Sequence, residues 1–205
     1  MKIFVIPNNY AQYNNSCSET LYNTEQPIVY TKVDSALLKD KKPFFVPDWS
    51  EDVDAEPQLA VRICRLGKSV PERFAHRYYD AVTMGVSFTT RDILRQLIAE
   101  GLPWEMATGF DSSAAIGEWI PKDKFRDVQA LHFRLECNNE VVQEGCTSDM
   151  LHSIDKLIAH VSRFYTLKTG DILYSGAPVS PVSIHVDDHL TGYIEDWKVL
   201  EFNCK

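Results

Sequence analysis

The stretch Asp54-Ala-Glu-Pro-Gln58-Leu-Ala-Val-Arg-Ile-Cys-Arg-Leu-Gly-Lys68 decides how this chain of 205 residues is read. Residues 57–66 are apolar enough for a buried strand, and Gly67-Lys68 turns the chain at its end. Glu56 and Gln58 are two residues apart, so on an extended strand both point to one face. A pair of carboxylates there would hold a hard divalent cation, but one of the pair is an amide, which offers an oxygen and no charge. The stretch has the frame of a metal-ligand strand that lacks a ligand.

Outward from it, residues 81–88 read as a second strand. Arg91 to Glu100 reads as a short amphipathic helix ending at Gly101, with Pro103 beyond. Residues 71–79 read as a helix because Phe74, Ala75 and Tyr78 recur at helical spacing. Residues 104–127 show little periodicity. Upstream, residues 1–10 open as a strand, residues 11–27 are polar and turn-rich, 28–30 form a short strand, and Asp34 caps a single turn. Downstream, His132-Phe-Arg-Leu-Glu-Cys137 alternates with period two, and Asn138-Asn139 reads as a type I′ hairpin because asparagine tolerates positive φ. Residues 149–164 read as the longest helix, apolar at Met150, Leu151, Ile154, Leu157, Ile158, Val161 and Phe164. Residues 190–202 give two more strands. The pattern is a strand-dominated fold with two or three helices packed on it.

Formal charge is −8, with the basic residues scattered, so neither nucleic acid nor an anionic membrane is expected as a partner. No run approaches 18 apolar residues, and the opening apolar run is too short for a signal-peptide core. The cysteines, at 17, 64, 137, 146 and 204, are odd in number and widely spaced, as expected of reduced thiols in a cytoplasmic protein. His185-Val-Asp-Asp-His189 reads as a loop beside a hairpin rather than a metal helix.

Taken in order, several short motifs resemble the fumarylacetoacetate hydrolase family in its compact, bacterial-type form. They are Asn9-Tyr10, Glu56-Pro-Gln-Leu-Ala-Val61, Gly85-Val-Ser-Phe-Thr-Thr-Arg-Asp92, Gly101-Leu-Pro-Trp104, Gly109-Phe-Asp111, Gln143-Glu-Gly-Cys-Thr147, Leu167-Lys-Thr-Gly-Asp171 and Ser175-Gly-Ala-Pro178. The resemblance implies a mixed, β-rich α+β fold, a β-roll with a few packed helices. It implies one domain over 1–205, with a smaller strand-and-loop section over 1–50 and the main roll over 51–205, and a homodimer. Family members hold Mg2+, Mn2+ or Ca2+ through three acids and act on small oxo-acids, the ion stabilising an enolate.

Carried over residue by residue, the first metal acid falls on Glu56, which is retained. The second falls on Gln58 and the third on Ser87. The active-site lysine falls on Thr108, the lid histidine on Tyr13, the lid glutamate on Ser16, and the substrate-gripping threonine on Ala177. The expectation is therefore no divalent ion or a weakly bound one. It extends to a protein without family-type metal-dependent catalysis, serving as a small-ligand-binding or structural dimer with a small organic acid as ligand. The alternative is a divalent-metal-dependent hydrolase, isomerase or decarboxylase acting at carbon–carbon bonds of a small oxo-acid.

Overall fold

The computed structural model describes residues 1–7, 9–11 and 25–205, so Tyr13 and Ser16 lie outside the described residues. In chain order the strands are β1 (Ile3–Val5), β2 (Tyr30–Lys32), β3 (Leu37–Leu38), β4 (Val53–Ile63), β5 (Tyr79–Thr90), β6 (Ala114–Ile116), β7 (Ile120–Pro121), β8 (His132–Cys137), β9 (Glu140–Cys146), β10 (Ile172–Tyr174), β11 (Val182–Ser183), β12 (His189–Ile194) and β13 (Trp197–Asn203). The α-helices are α1 (Glu72–Ala75), α2 (Arg91–Glu100), α3 (Glu105–Thr108) and α4 (Ile154–Phe164).

Strands β4 and β5 are antiparallel over their full length, from Val53 opposite Thr90 to Ile63 opposite Tyr79. Alternation sorts β4: Val53, Ala55, Leu59, Val61 and Ile63 enter the main core, while Asp54, Glu56, Gln58, Ala60 and Arg62 take the other face. The strand begins at Val53 rather than 57, because its polar inward positions hide its first half from a hydrophobicity reading. Pro57, which has no N–H, sits between the partners on that side: β11 pairs Asp54 and Ala55, and β10 pairs Ala60 to Arg62.

The large sheet has the order β2-β1-β10-β4-β5-β6-β3, with β11 on β4 and β7 on β5. In a flat sheet β2 and β6 would lie about 24 Å apart at ~4.8 Å per strand. Yet Lys32 Nζ on β2 donates to the carbonyl of Ser113, next to β6, at 2.6 Å. Tyr174 Oη on β10 donates to Ala115 O on β6 at 2.7 Å. A lysine side chain reaches only about 6 Å, so the sheet is curled on itself and both side chains cross the interior of the curl. Tyr174 lies flat over Gly85, where an added Cβ would come within 2.3 Å of Tyr174 Cε1. Gly85→Ala is expected to displace Tyr174 and destabilise the protein by about 1–3 kcal/mol, read as a lowered urea midpoint.

The smaller sheet, β13-β12-β8-β9, covers the outer face of the curl. Leu135, Leu190 and Phe202 meet Met84 and Phe88 there, and α4 adds Leu157, Ile158 and Val161. The hairpin between β8 and β9 has φ of 54° at Asn138 and 69° at Asn139, as a type I′ turn requires. Helix α2 matches its expected bounds and ends on Gly101 in the left-handed region at φ 67°. Helix α4 is shorter than expected at its start: Ser153 Oγ accepts from Lys156 N at 3.2 Å and fixes the N-terminus, so Met150 and Leu151 precede the helix. Over 71–79 only α1 is α-helical, because β5 already begins at Tyr79. Residues 104–127 hold α3, β6 and β7. Among the described residues no helix is long and apolar enough to cross a membrane.

Candidate functional site

The inner face of the curl brings the three expected metal positions together. Glu56 on β4 stands directly opposite Ser87 on β5, and Gln58 stands opposite Gly85. Directly opposed side chains start about 5 Å apart. Gln58 and Ser87 are fully buried, whereas Glu56 is partly exposed. Gln58 Oε1 accepts from Gly176 N at 2.9 Å. Its Nε2 and the Ser87 hydroxyl have no hydrogen-bond partner among the described residues.

The backbone that presses on Gln58 is specified by Gly176, at φ 106° and with space for no Cβ beside Asn9. Asn9, fully buried, ties this loop down: its Nδ2 donates to Ser175 O at 2.8 Å and to His152 O at 3.1 Å. The next residue, Ala177, is buried and brings only a methyl where the resemblance puts a substrate-gripping threonine.

Sequence reading missed one residue, Lys32. It is 2 % exposed, while its neighbour Val33 is 58 % exposed. The signal was the alternation Ile28, Tyr30, Lys32, which puts a lysine in the inward register of a strand. Lys32 Nζ donates to Ser113 O and, at 3.1 Å, to Phe88 O, the residue after Ser87. Ser113 Oγ in turn donates to Thr108 O at 3.2 Å. Thr108, expected at a lysine position, therefore sits two hydrogen bonds from a different lysine, and its own hydroxyl donates to Trp104 O.

Burial pushes Lys32 down to about 7, and the Glu56 carboxylate pulls it partly back up. In the unfolded chain the amine titrates near 10.4, so folding disfavours the charged form and stability rises as pH climbs from about 7 towards 10. Lys32→Met removes that burden. It should stabilise the protein relative to wild type by about 2–3 kcal/mol more at pH 6 than at pH 9, measured by denaturant unfolding at both values.

Other expected features are structural. Asp92 accepts from Ser50 Oγ at 2.6 Å and from Glu51 N at 3.1 Å, and Arg91 pairs with Asp54 at 2.6 Å, bracing the junction of β5 and α2. His185 is an exposed loop residue whose N–H donates to Asp188, and His189 on β12 contacts Asn203 and Glu201.

A divalent ion of the expected kind takes about six to eight oxygen ligands with several charges among them. The residues here offer one carboxylate, an amide whose oxygen is already engaged, and a hydroxyl, with a buried amine nearby. No group of three or more His, Cys, Asp and Glu side chains able to hold a metal occurs among the described residues. This donor set does not fit a divalent ion.

The family profile described as fumarylacetoacetate (FAA) hydrolase, C-terminal, matches residues 2–203. The mitochondrial oxaloacetate tautomerase FAHD1 of Mus musculus is 30 % identical over 203 residues, 99 % of this chain and 91 % of that protein. A fumarylacetoacetate hydrolase family structure from Yersinia pestis CO92 superposes with a TM-score of 0.93 at 29 % identity, covering 100 % of this chain and 93 % of that one. Fumarylpyruvate hydrolase from Pseudomonas aeruginosa, solved with Mn2+ and pyruvate, shares the fold with a TM-score of 0.90 at 21 % identity, covering 100 % and 89 %.

These likenesses support the β-roll expectation for the fold. They correct the functional one: a chain that matches a named enzyme over 99 % of its length is not read as an inert binding or structural dimer. The reason lies in what was counted. The sequence reading weighed only the family-type groups that are replaced: two metal acids, a lysine, a lid pair and a threonine. Proton transfer beside a carbonyl needs a base and oxyanion donors, and Glu56, Gln58 and Ser87 include both.

Proposed function

The chain belongs to the fumarylacetoacetate hydrolase family, and we propose that it is an enzyme that interconverts the keto and enol forms of a small oxo-acid of the oxaloacetate type. The observation that carries this reading is the partly exposed Glu56 carboxylate facing two buried donors, Gln58 Nε2 and Ser87 Oγ, that have no partner among the described residues. A buried donor left unsatisfied costs about 1–3 kcal/mol, a cost that an oxygen-rich ligand would relieve.

In the keto form, the carbon next to the carbonyl carries an acidic C–H. Glu56 takes that proton. The electron pair moves onto the carbonyl oxygen, where Gln58 Nε2–H and Ser87 Oγ–H donate to the developing negative charge. Return of the proton to that oxygen gives the enol, and the reverse sequence gives the ketone. In the family a bound divalent ion would supply Lewis-acid stabilisation of the same charge; these residues do not fit one. A homodimer and a cytoplasmic setting belong to the same reading, the first checked by light scattering on the eluted protein.

The test follows the decay of enol oxaloacetic acid by ultraviolet absorbance. Wild type should accelerate ketonisation by at least about a hundredfold over buffer, the low end of what a positioned acid–base group contributes. A rate equal to buffer across the pH range of the stable protein would end this reading.

A further inference from the structure

We propose that the Lys32 ammonium serves as the resident cation of this cleft in place of a divalent ion, binding the anionic oxygens of the oxo-acid beside Glu56. For its substrate the proposal rests on the enzymatic reading above. Its claim about the cation stands on the residues alone.

Three observations converge. The first is placement. Lys32 crosses the interior of the curled sheet to reach Phe88 O and Ser113 O, on the inner side one residue beyond Ser87 and Ala114. A fully buried lysine is rare and needs compensation. The two carbonyls occupy two of its three N–H donors, and the third has no hydrogen-bond partner among the described residues. Glu56 is the carboxylate that acts on its charge.

The second is charge. Glu56 and the Lys32 ammonium together are neutral, so an anionic oxo-acid can enter without facing a net negative cleft on a chain whose overall charge is −8. Adding a divalent ion would leave that pair and the ion at +2, with two cations in one small, poorly solvated space. Lysine and ion therefore compete for one carboxylate.

The third is the pattern of the neutral positions. Gln58 and Ser87 carry donors and no negative charge, as a cleft held by a single ammonium requires. Two further acids there would leave the lysine outweighed three to one. Gln58 Oε1 is moreover committed to Gly176 N, and its Nε2 is buried with no hydrogen-bond partner among the described residues. The set therefore recognises anionic oxygen through Lys32 Nζ, Gln58 Nε2 and Ser87 Oγ, and its only proton acceptor with a charge is Glu56.

The experiment titrates Mn2+ into substrate-free protein and reads free Mn2+ by electron paramagnetic resonance. It uses wild type, the double variant Gln58→Glu/Ser87→Asp, and the triple variant that adds Lys32→Met, with circular dichroism confirming that each is folded. Wild type should take up no Mn2+ in the micromolar range. The triple variant should bind Mn2+ at least about tenfold more tightly than the double variant, because the competing ammonium is gone. Micromolar binding by wild type, or equal binding by the two variants, overturns the proposal. Where a variant does not fold, the wild-type titration alone decides. Because no substrate is present, these outcomes are separate from failure of the enzymatic reading, which the ketonisation assay detects in wild type.

Discussion

Glu56→Gln lowers kcat for enol–keto conversion by about 10²- to 10⁴-fold, the range a positioned general base contributes. The substitution keeps the shape of the side chain and removes only its ability to take a proton. Glu56 is partly exposed, so the fold should survive with a near-normal urea midpoint. The effect should fall on kcat more than on KM, since Lys32, Gln58 and Ser87 still offer their donors to the bound anion. Initial rates by ultraviolet absorbance at saturating substrate check this, with unfolding curves on the same preparations. A variant that keeps the wild-type kcat would remove Glu56 from the chemistry.

The largest effect on stability is expected far from the cleft, at Asp171. Its carboxylate is buried at the start of β10, where it accepts from the backbone of Lys2 and of Lys168, each at 2.8 Å, and pairs with Lys2 Nζ at 2.6 Å. It thereby ties the chain entering β1 to the turn entering β10, the two strands that join β2 to the rest of the large sheet. Asp171→Ala strands two backbone donors and breaks a pair with one buried partner, at a cost of about 3–5 kcal/mol. For a chain of this size that lowers Tm by about 10 °C. Calorimetry on the variant reads it directly, and a shift of only a degree or two would show that water or rearranged backbone replaces the carboxylate.

The local parts of the structure were legible from sequence because their causes are local. Gly101 and Pro103 end α2, two asparagines with positive φ make the β8–β9 turn, and apolar spacing marks most of α4. Misreadings arose where a nonlocal partner decides. The start of β4 is hidden because Asp54, Glu56 and Gln58 are polar residues on an inward face, which hydrophobicity alone reads as exposed. The helix over 71–79 shrinks to α1 because Tyr79 is recruited by β4. Ser153 caps α4 four residues after the expected start, and a cap outweighs the apolar spacing at Met150 and Leu151.

The site divides in the same way. Glu56, Gln58 and Ser87 could be placed together because strand alternation and family-like spacing both point to one face. Lys32 could not, since its relation to them depends on a sheet that curls through five strand steps before β2 meets β6. Nor could sequence show that the Gln58 oxygen accepts from Gly176 N while its Nε2 is left without a partner among the described residues. Counting the replaced family-type groups without seeing Lys32 made the site look emptied.

The most direct measurement follows solvent deuterium entering the carbon beside the carbonyl of the oxo-acid, by proton NMR, with wild type and Glu56→Gln in excess chelator. The account predicts exchange faster than in buffer with wild type, unchanged by the chelator and lost in Glu56→Gln. Exchange that falls to the buffer rate on chelation and returns with Mn2+ would contradict it.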